Sequence, residues 1–173
     1  RVPQPTTRLA PAPDRRLVDR SRHGTLPRIG ADGARPADVY ARPAPQVPGK
    51  VGRIAIVVGG LGLSQSSTAD AIARLPADVT LAFAPYGTEL ERQVARARDD
   101  GHEVMLQVPM EPFDYPDNDP GPYTLLANSN AAEINRRMEW LLSRAVGYVG
   151  VTNYLGERFV TSDPGMGAFT AAL

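Results

Sequence analysis

Between residues 53 and 151 the hydrophobic pattern switches repeatedly between a period of two and a period near 3.6, and this limits the folds open to the chain. Residues 53–58, RIAIVV, form a short apolar, β-branched run of the kind found in buried parallel strands. Gly59, Gly60 and Gly62 allow a tight turn, and Ser64 or Ser66 can cap a helix running to about Leu75. Residues 80–83 read as a second strand, closed by Pro85. Thr88 and Glu91 have the spacing of a capping box ahead of a helix with Leu90, Val94 and Ala97 inward, and Gly101 is its stop. A third strand begins at Glu103, where Val104, Leu106 and Val108 alternate with Met105 and Gln107. Pro109, which has no N–H to donate, ends that ladder. Asn130 and Glu133 open a further helix with Ile134, Met138, Leu141, Leu142 and Ala145 toward the core, and residues 148–151 read as a fourth strand. Strands alternating with amphipathic helices predict an α/β fold with mainly parallel strands, open or closed as a barrel. Residues 166–173 begin a helix with little left to pack against.

The first 50 residues behave differently. They hold nine of the seventeen prolines, and ten Arg/Lys against four Asp/Glu, so that they carry +6 while residues 51–173 carry −6. This stretch lacks apolar periodicity and reads as an extended Pro/Arg-rich linker, 1–50, ahead of a folded domain, 51–173. Residues 28–43 can be an ordered strap on the domain, with a turn at Ala31-Asp32-Gly33 and anchors at Ile29, Val39 and Tyr40. Its arginines either touch anionic envelope polymers or lipid, or are simply solvated. A neutral chain with an acid-rimmed domain argues against nucleic acid as a partner. No cysteine is present, which excludes disulfides and thiolate metal sites. No apolar run approaches the roughly 20 residues needed to span a bilayer. The chain starts at Arg1 with no visible signal peptide, as expected if an export signal or anchor has been removed.

In an α/β protein, ligands are held by the loops beyond the carboxyl ends of the strands. Residues 109–121, PMEPFDYPDNDPG, place Glu111, Asp114, Asp117 and Asp119 there, with Phe113 and Tyr115 among them. A solvated turn region with aromatic plugs is the plainer reading. GGLGLSQ has neither the Gly-Lys-Ser/Thr ending of a phosphate loop nor the third glycine of a dinucleotide fingerprint, so it reads as a structural turn. Asp117-Asn118-Asp119 lacks the spacing and terminal Glu of an EF-hand. His102 falls at the opposite end of the third strand and reads as a surface or helix-cap residue, while His23 lies in the linker without a candidate metal partner. No GxSxG elbow is present.

In this order, IAIVVGGLGLS, LAFAPYG, GHEVMLQVPMEPFDYPDNDPGP and GYVGVTNYLGERF resemble the divergent polysaccharide deacetylase family over most of residues 53–169. That family is similar to carbohydrate esterase family four deacetylases. The resemblance implies a (β/α) barrel, a role in carbohydrate metabolism and a location in the periplasm or cell envelope. It also implies a zinc-like divalent metal that polarises an acetyl carbonyl and activates water, with a carboxylate as base. The 123 residues from 51 to 173 fall short of the roughly 200 of a closed barrel, so a partial barrel, incomplete at the C-terminus, is expected.

Carried over by position, the resemblance alters the chemistry. The two aspartates that end the first strand in those enzymes, one the base and one a ligand, correspond to Gly59 and Gly60. Their two metal histidines, counted from His102, correspond to Gln107 and Glu111. Glu111 is then a possible metal ligand and Gln107 a weak one, with weak or absent metal binding expected. Two functions stand side by side. One is a deacetylase-like hydrolase acting on acetylated amino-sugar polymers. The other is a non-catalytic relative that binds glycan or an envelope partner. In both, Phe113, Tyr115 and Tyr154 can stack on sugar faces while Asp114, Asp117, Asn118, Asp119 and Asn153 bond hydroxyls. Ordinary loop packing is the alternative for the aromatics.

Overall fold

The computed structural model describes residues 8–44, 49 and 52–173. Residues 1–7, 45–48 and 50 of the expected linker, and residue 51 at the expected domain start, lie outside the described residues. A 3-10 turn at Arg15–Leu17 leads into a short antiparallel hairpin, β1 (Val18–Arg20) and β2 (Thr25–Pro27), followed by the single-turn helix α1 (Pro36–Val39). Strands and helices then alternate: β3 (Val57–Leu61), α2 (Gln65–Arg74), β4 (Thr80–Phe83), α3 (Leu90–Asp99), β5 (Val104–Met110), α4 (Ala131–Leu142) and β6 (Gly150–Leu155). A second 3-10 turn at Phe159–Thr161 precedes α5 (Asp163–Ala171).

β3 to β6 form one parallel sheet in the order β3-β4-β5-β6. Each strand is laid beside its predecessor through a helical crossover, which is the connectivity of a (β/α) barrel rather than of a doubly wound sheet. The fold is thus α/β, and the four parallel strands are consistent with a partial barrel. Leu81, Phe83, Val104, Leu106, Val108 and Met110 share a core with Val94, Ala97, Ile134, Met138 and Leu141 from the helices. Burying each larger apolar side chain of this group contributes about 1.5–3 kcal/mol. Ser64 caps α2 and Asn130 caps α4, their side chains accepting from the Ser67 and Glu133 N–H groups.

Several boundaries move for physical reasons. Residues 53–56 are exposed rather than a buried strand, with Ile54 90% exposed, and the strand runs on to Leu61. Pairing with β4 explains this: Val58 faces Leu81 but Leu61 faces Phe83, so one extra residue is absorbed at the glycines. Gly59 and Gly60 therefore form a bulge inside the strand, not a turn after it. The expected Thr88–Glu91 capping box is not made. α3 begins at Leu90 with Glu89 preceding it, and no side chain caps the helix, although Leu90, Val94 and Ala97 are buried as expected.

Pro109 does not end the third strand, which continues to Met110 opposite Leu155. β4 stops pairing at Phe83–Leu106, so its missing N–H falls on a side that β4 no longer occupies. There the Pro109 carbonyl accepts from the Leu125 N–H at 2.9 Å. The fourth strand is later than its hydrophobic run, because residues 150–155 pair with 105–110. Tyr148 precedes it, buried, its hydroxyl donating to the Leu142 carbonyl at 2.9 Å. α5 starts at Asp163, capped by Ser162, and is packed, with Phe169 edge-on to Phe159 at 6.4 Å.

The largest departure lies before residue 44. Leu9 and Leu17 are buried where an extended linker is expected; in the expected strap Tyr40 is buried as an anchor, whereas Ile29, expected as another, is 64% exposed. Arg98 on α3 explains the docking. Its guanidinium donates to the Tyr40, Gly147 and Ala10 carbonyls at 3.1, 2.8 and 2.7 Å, and lies over the Tyr40 ring. Arg42 adds bonds to the Gly101 carbonyl and the Asp78 carboxylate, and its backbone N–H donates to Glu103. Low local apolar periodicity is thus overcome by a few anchors and by arginines that satisfy carbonyls in place of a sheet ladder. No helix among the described residues is long and apolar enough to cross a membrane.

Candidate functional site

The carboxyl ends of β3, β5 and β6 bring together residues that are far apart in sequence. Gln107, at the centre of β5 and one residue beyond its last pairing with β4, is 7% exposed, and its Oε1 accepts from the Gly60 N–H at 2.7 Å. The amide thus reaches across the end of the sheet from β5 to β3, since β4 lies between them. Gly60 needs its residue type, because its φ of +73° lies in the left-handed region. Gly59 faces the other end of the same amide: a Cβ placed on it would come within 2.9 Å of Gln107 Nε2.

Glu111 follows β5 directly and is 5% exposed. Its Oε2 accepts from the Ala127 N–H at 2.6 Å, and its Oε1 pairs with Arg158 Nη1 at 3.0 Å. The backbone of the same residue donates to the Leu125 carbonyl, and its carbonyl accepts from the Arg158 and Phe159 N–H groups. One buried carboxylate therefore ties both limbs of the long loop to the turn after β6, with its charge met by Arg158 and its lone pairs met by N–H donors. The returning limb is held again farther out. Tyr123 stacks on Trp140 at 4.0 Å, and the Tyr86 hydroxyl donates to the Pro122 carbonyl at 2.5 Å. Burial holds the Tyr86 hydroxyl above the usual phenol range.

Between these anchors the loop is open. Phe113 is 69% exposed, Asp114, Asp117, Asn118 and Asp119 are exposed, and Tyr115 is half-buried. Asp119 is partly committed to the loop itself, its Oδ1 accepting from the Gly121 N–H. On β6, Asn153 and Tyr154 stand opposite Val108 and Pro109, and Tyr154 is 42% exposed. Asn153 Nδ2 donates to the Leu155 carbonyl at 2.8 Å, within a turn where Leu155 adopts a φ of 54°. A leucine in that region is strained, and such strain is kept where the surrounding structure holds it.

The two histidines stand elsewhere. His102 is buried, not at the surface, with Nδ1 2.9 Å from the Val79 carbonyl and Nε2 3.2 Å from that of Ile72. Its backbone N–H closes the end of α3 on Ala97. His23 is exposed and accepts from Arg22 Nε. The expected metal set can therefore be tested on the atoms present. Glu111 has both oxygens engaged and Gln107 has its only carbonyl oxygen engaged, while Gly59 and Gly60 offer no side-chain donor. Among the described residues no group of three His, Asp or Glu is placed to hold a metal ion. These residues do not fit a catalytic zinc site, which needs about three protein ligands with an open position.

Sequence reasoning picked out Gln107 and Glu111 but not what holds them. Arg158, Leu125 and Ala127 were missed because they become partners only when three loops meet. A buried carboxylate demands a cation, yet the sequence offers many arginines and no rule for choosing one.

Residues 56–173 match the divergent polysaccharide deacetylase family. The chain is 25% identical over 122 residues to the uncharacterized protein YibQ of Escherichia coli strain K12, covering 70% of this chain and 37% of that protein. It is also similar to the crystal structure of the uncharacterized protein ATU2773 from Agrobacterium tumefaciens C58. There the identity is 47% and the TM-score 0.78, covering 84% of this chain and 58% of that one. The chain thus spans less than two thirds of the length of both relatives.

Proposed function

The chain belongs to the divergent polysaccharide deacetylase family, and from that premise we propose that it binds acetylated amino-sugar polymer of the cell envelope without turning it over. The observation that carries this reading is the prior commitment of the side chains at the metal positions. Gln107 is bound to Gly60, and Glu111 to Arg158 and the Ala127 N–H. An exposed aromatic pair, Phe113 and Tyr154, remains free to cover sugar faces. Asp114, Asp117, Asn118 and Asn153 are exposed beside them as hydroxyl partners. Aromatic surface with a few polar groups is a chemistry suited to sugars, which present apolar C–H faces and hydroxyl rims.

Hydrolysis is the competing reading, favoured by the family name alone. The two separate in one experiment: titration with a hexamer of N-acetylglucosamine, with zinc and with a chelator, while released acetate is assayed. The binding reading expects saturable binding that the chelator leaves unchanged and no acetate above the protein-free blank. Zinc-dependent acetate release that disappears in Glu111→Ala would overturn it.

A further inference from the structure

We propose that Gln107 Nε2 is the donor that reads a neutral acceptor oxygen, the acetamido carbonyl of an N-acetylated sugar, at a notch opened by Gly59. This rests on the glycan-binding reading and names the group that would make it selective.

The orientation of the amide is fixed by its neighbour. A backbone N–H can only donate, so the atom 2.7 Å from the Gly60 nitrogen is the carbonyl oxygen, and the NH2 group is the end turned toward Gly59. That NH2 has no partner among the described residues, although Gln107 is 7% exposed. Among the described residues Gln93 Oε1 is the buried side-chain polar atom without a partner, so Gln107 Nε2 keeps contact with water, and a ligand oxygen would take the place of that water.

The two glycines divide the work. Gly60 is required by its left-handed backbone, whereas Gly59 is not in that region. A methyl group on Gly59 would instead meet Nε2 at 2.9 Å, so the missing side chain there leaves the donor approachable from the exposed side. The chemistry of what approaches follows from the donor. Two N–H groups without charge donate to an oxygen lone pair and offer nothing to an ammonium. The charged pair near this end of the sheet, Glu111 with Arg158, is internally neutralised at 3.0 Å and provides no free charge for an ionic ligand. A site of this kind would hold the polymer where it is N-acetylated and release it where the acetyl group has been removed. A neutral N–H donor at this position favours the ligand that brings an acceptor oxygen over the analogue that brings an ammonium.

The test uses the substitution Gln107→Glu, which keeps an oxygen for the Gly60 N–H but replaces the donor with an acceptor. Gly59→Ala is the second variant, closing the notch with a methyl group against Nε2 while leaving the residue type of the amide unchanged. The 15N-labelled chain and both variants are titrated with hexamers of N-acetylglucosamine, glucosamine and glucose. The Gln107 side-chain NH2 resonance is assigned by its loss in the glutamate variant. The proposal expects that resonance to move saturably with the N-acetylated hexamer. Affinity for it should fall at least about tenfold in both folded variants, while Gln107→Glu gains affinity for the glucosamine hexamer. Undiminished affinity for the N-acetylated hexamer in the variants would overturn the assignment and leave the binding reading intact. Equal binding of the glucose hexamer with the same NH2 shift would overturn the acetamido part, since a hydroxyl would then suffice. If no hexamer binds the unmodified chain, the binding reading fails. Titration with N-methylacetamide then decides Gln107 alone: a saturable NH2 shift supports the carbonyl site, and an unmoved resonance sinks it.

Discussion

At the amino ends of β4 and β5, His102, Arg42 and Arg98 reach backbone carbonyls from several separate segments, and the 8–44 segment closes over them. At the carboxyl ends of the same strands the sheet stays open. Gly59 and Gly60 are exposed, Phe113 and Tyr154 project into solvent, and Leu155 holds a strained turn. The first end places its polar side chains in bonds that serve the fold. The second leaves one donor unpaired and a rim of aromatic and polar groups uncovered. Stability is concentrated at one end of the sheet, leaving the other available for recognition.

The sharpest way to break this comparison is Arg98→Ala. It strands three carbonyls and removes the cation over Tyr40, so a loss of about 3 kcal/mol or more is expected in urea unfolding. Limited proteolysis is then expected to cut the 8–44 segment faster than in the unmodified chain. A loss under about 0.5 kcal/mol would show that this end is not the stable one.

Glu111→Gln comes next, with an expected loss of about 2 kcal/mol, since Arg158 is half exposed and loses its carboxylate while the Ala127 N–H keeps an acceptor. Amide exchange should quicken in residues 112–127 and 156–162 and stay unchanged near Arg98. Exchange that quickens everywhere would mean the two ends are not separable. Gly60→Ala is expected to lose about 1 kcal/mol or more from its left-handed backbone. Gly59→Ala should fall well below that, and equal losses at the two glycines would remove the distinction between a backbone requirement and an open notch. The smallest stability effect belongs to Phe113→Ser and Tyr154→Ser, within about 0.5 kcal/mol, because both rings already face water. Their effect should show instead as a several-fold weaker binding of the N-acetylated hexamer.

What local chemistry decides was legible in the chain. Residues 80–83 are a strand as read, the caps at Ser64 and Asn130 are made, and Ile134, Met138, Leu141 and Leu142 are buried on α4. The errors share one cause. Pro109 was read as a strand end because it lacks an N–H, yet its strand continues because no neighbour needs that N–H on the β4 side. Residues 53–56 were read as buried because they are apolar, yet they lead into β3, which ends the order of the described sheet and whose own Val57 is 48% exposed. Asn153 and Tyr154, beyond the expected strand at 148–151, are in β6, where Val108 and Pro109 stand beside them.

The sequence by itself determined the alternation of strand and helix, the inward faces of the helices, and the residue types at Gly59, Gly60, Gln107 and Glu111. Those are consequences of side-chain period and residue identity, which need no partner to be defined. Only the tertiary structure decided that Glu111 is a clamp, that Gln107 is turned by the Gly60 N–H with its NH2 toward Gly59, and that an arginine on α3 fastens residues 8–44. Hydrogen bonds and ion pairs between distant segments depend on where the folded backbone places donors and acceptors, and a linear pattern carries no information about that placement until the chain has closed on itself.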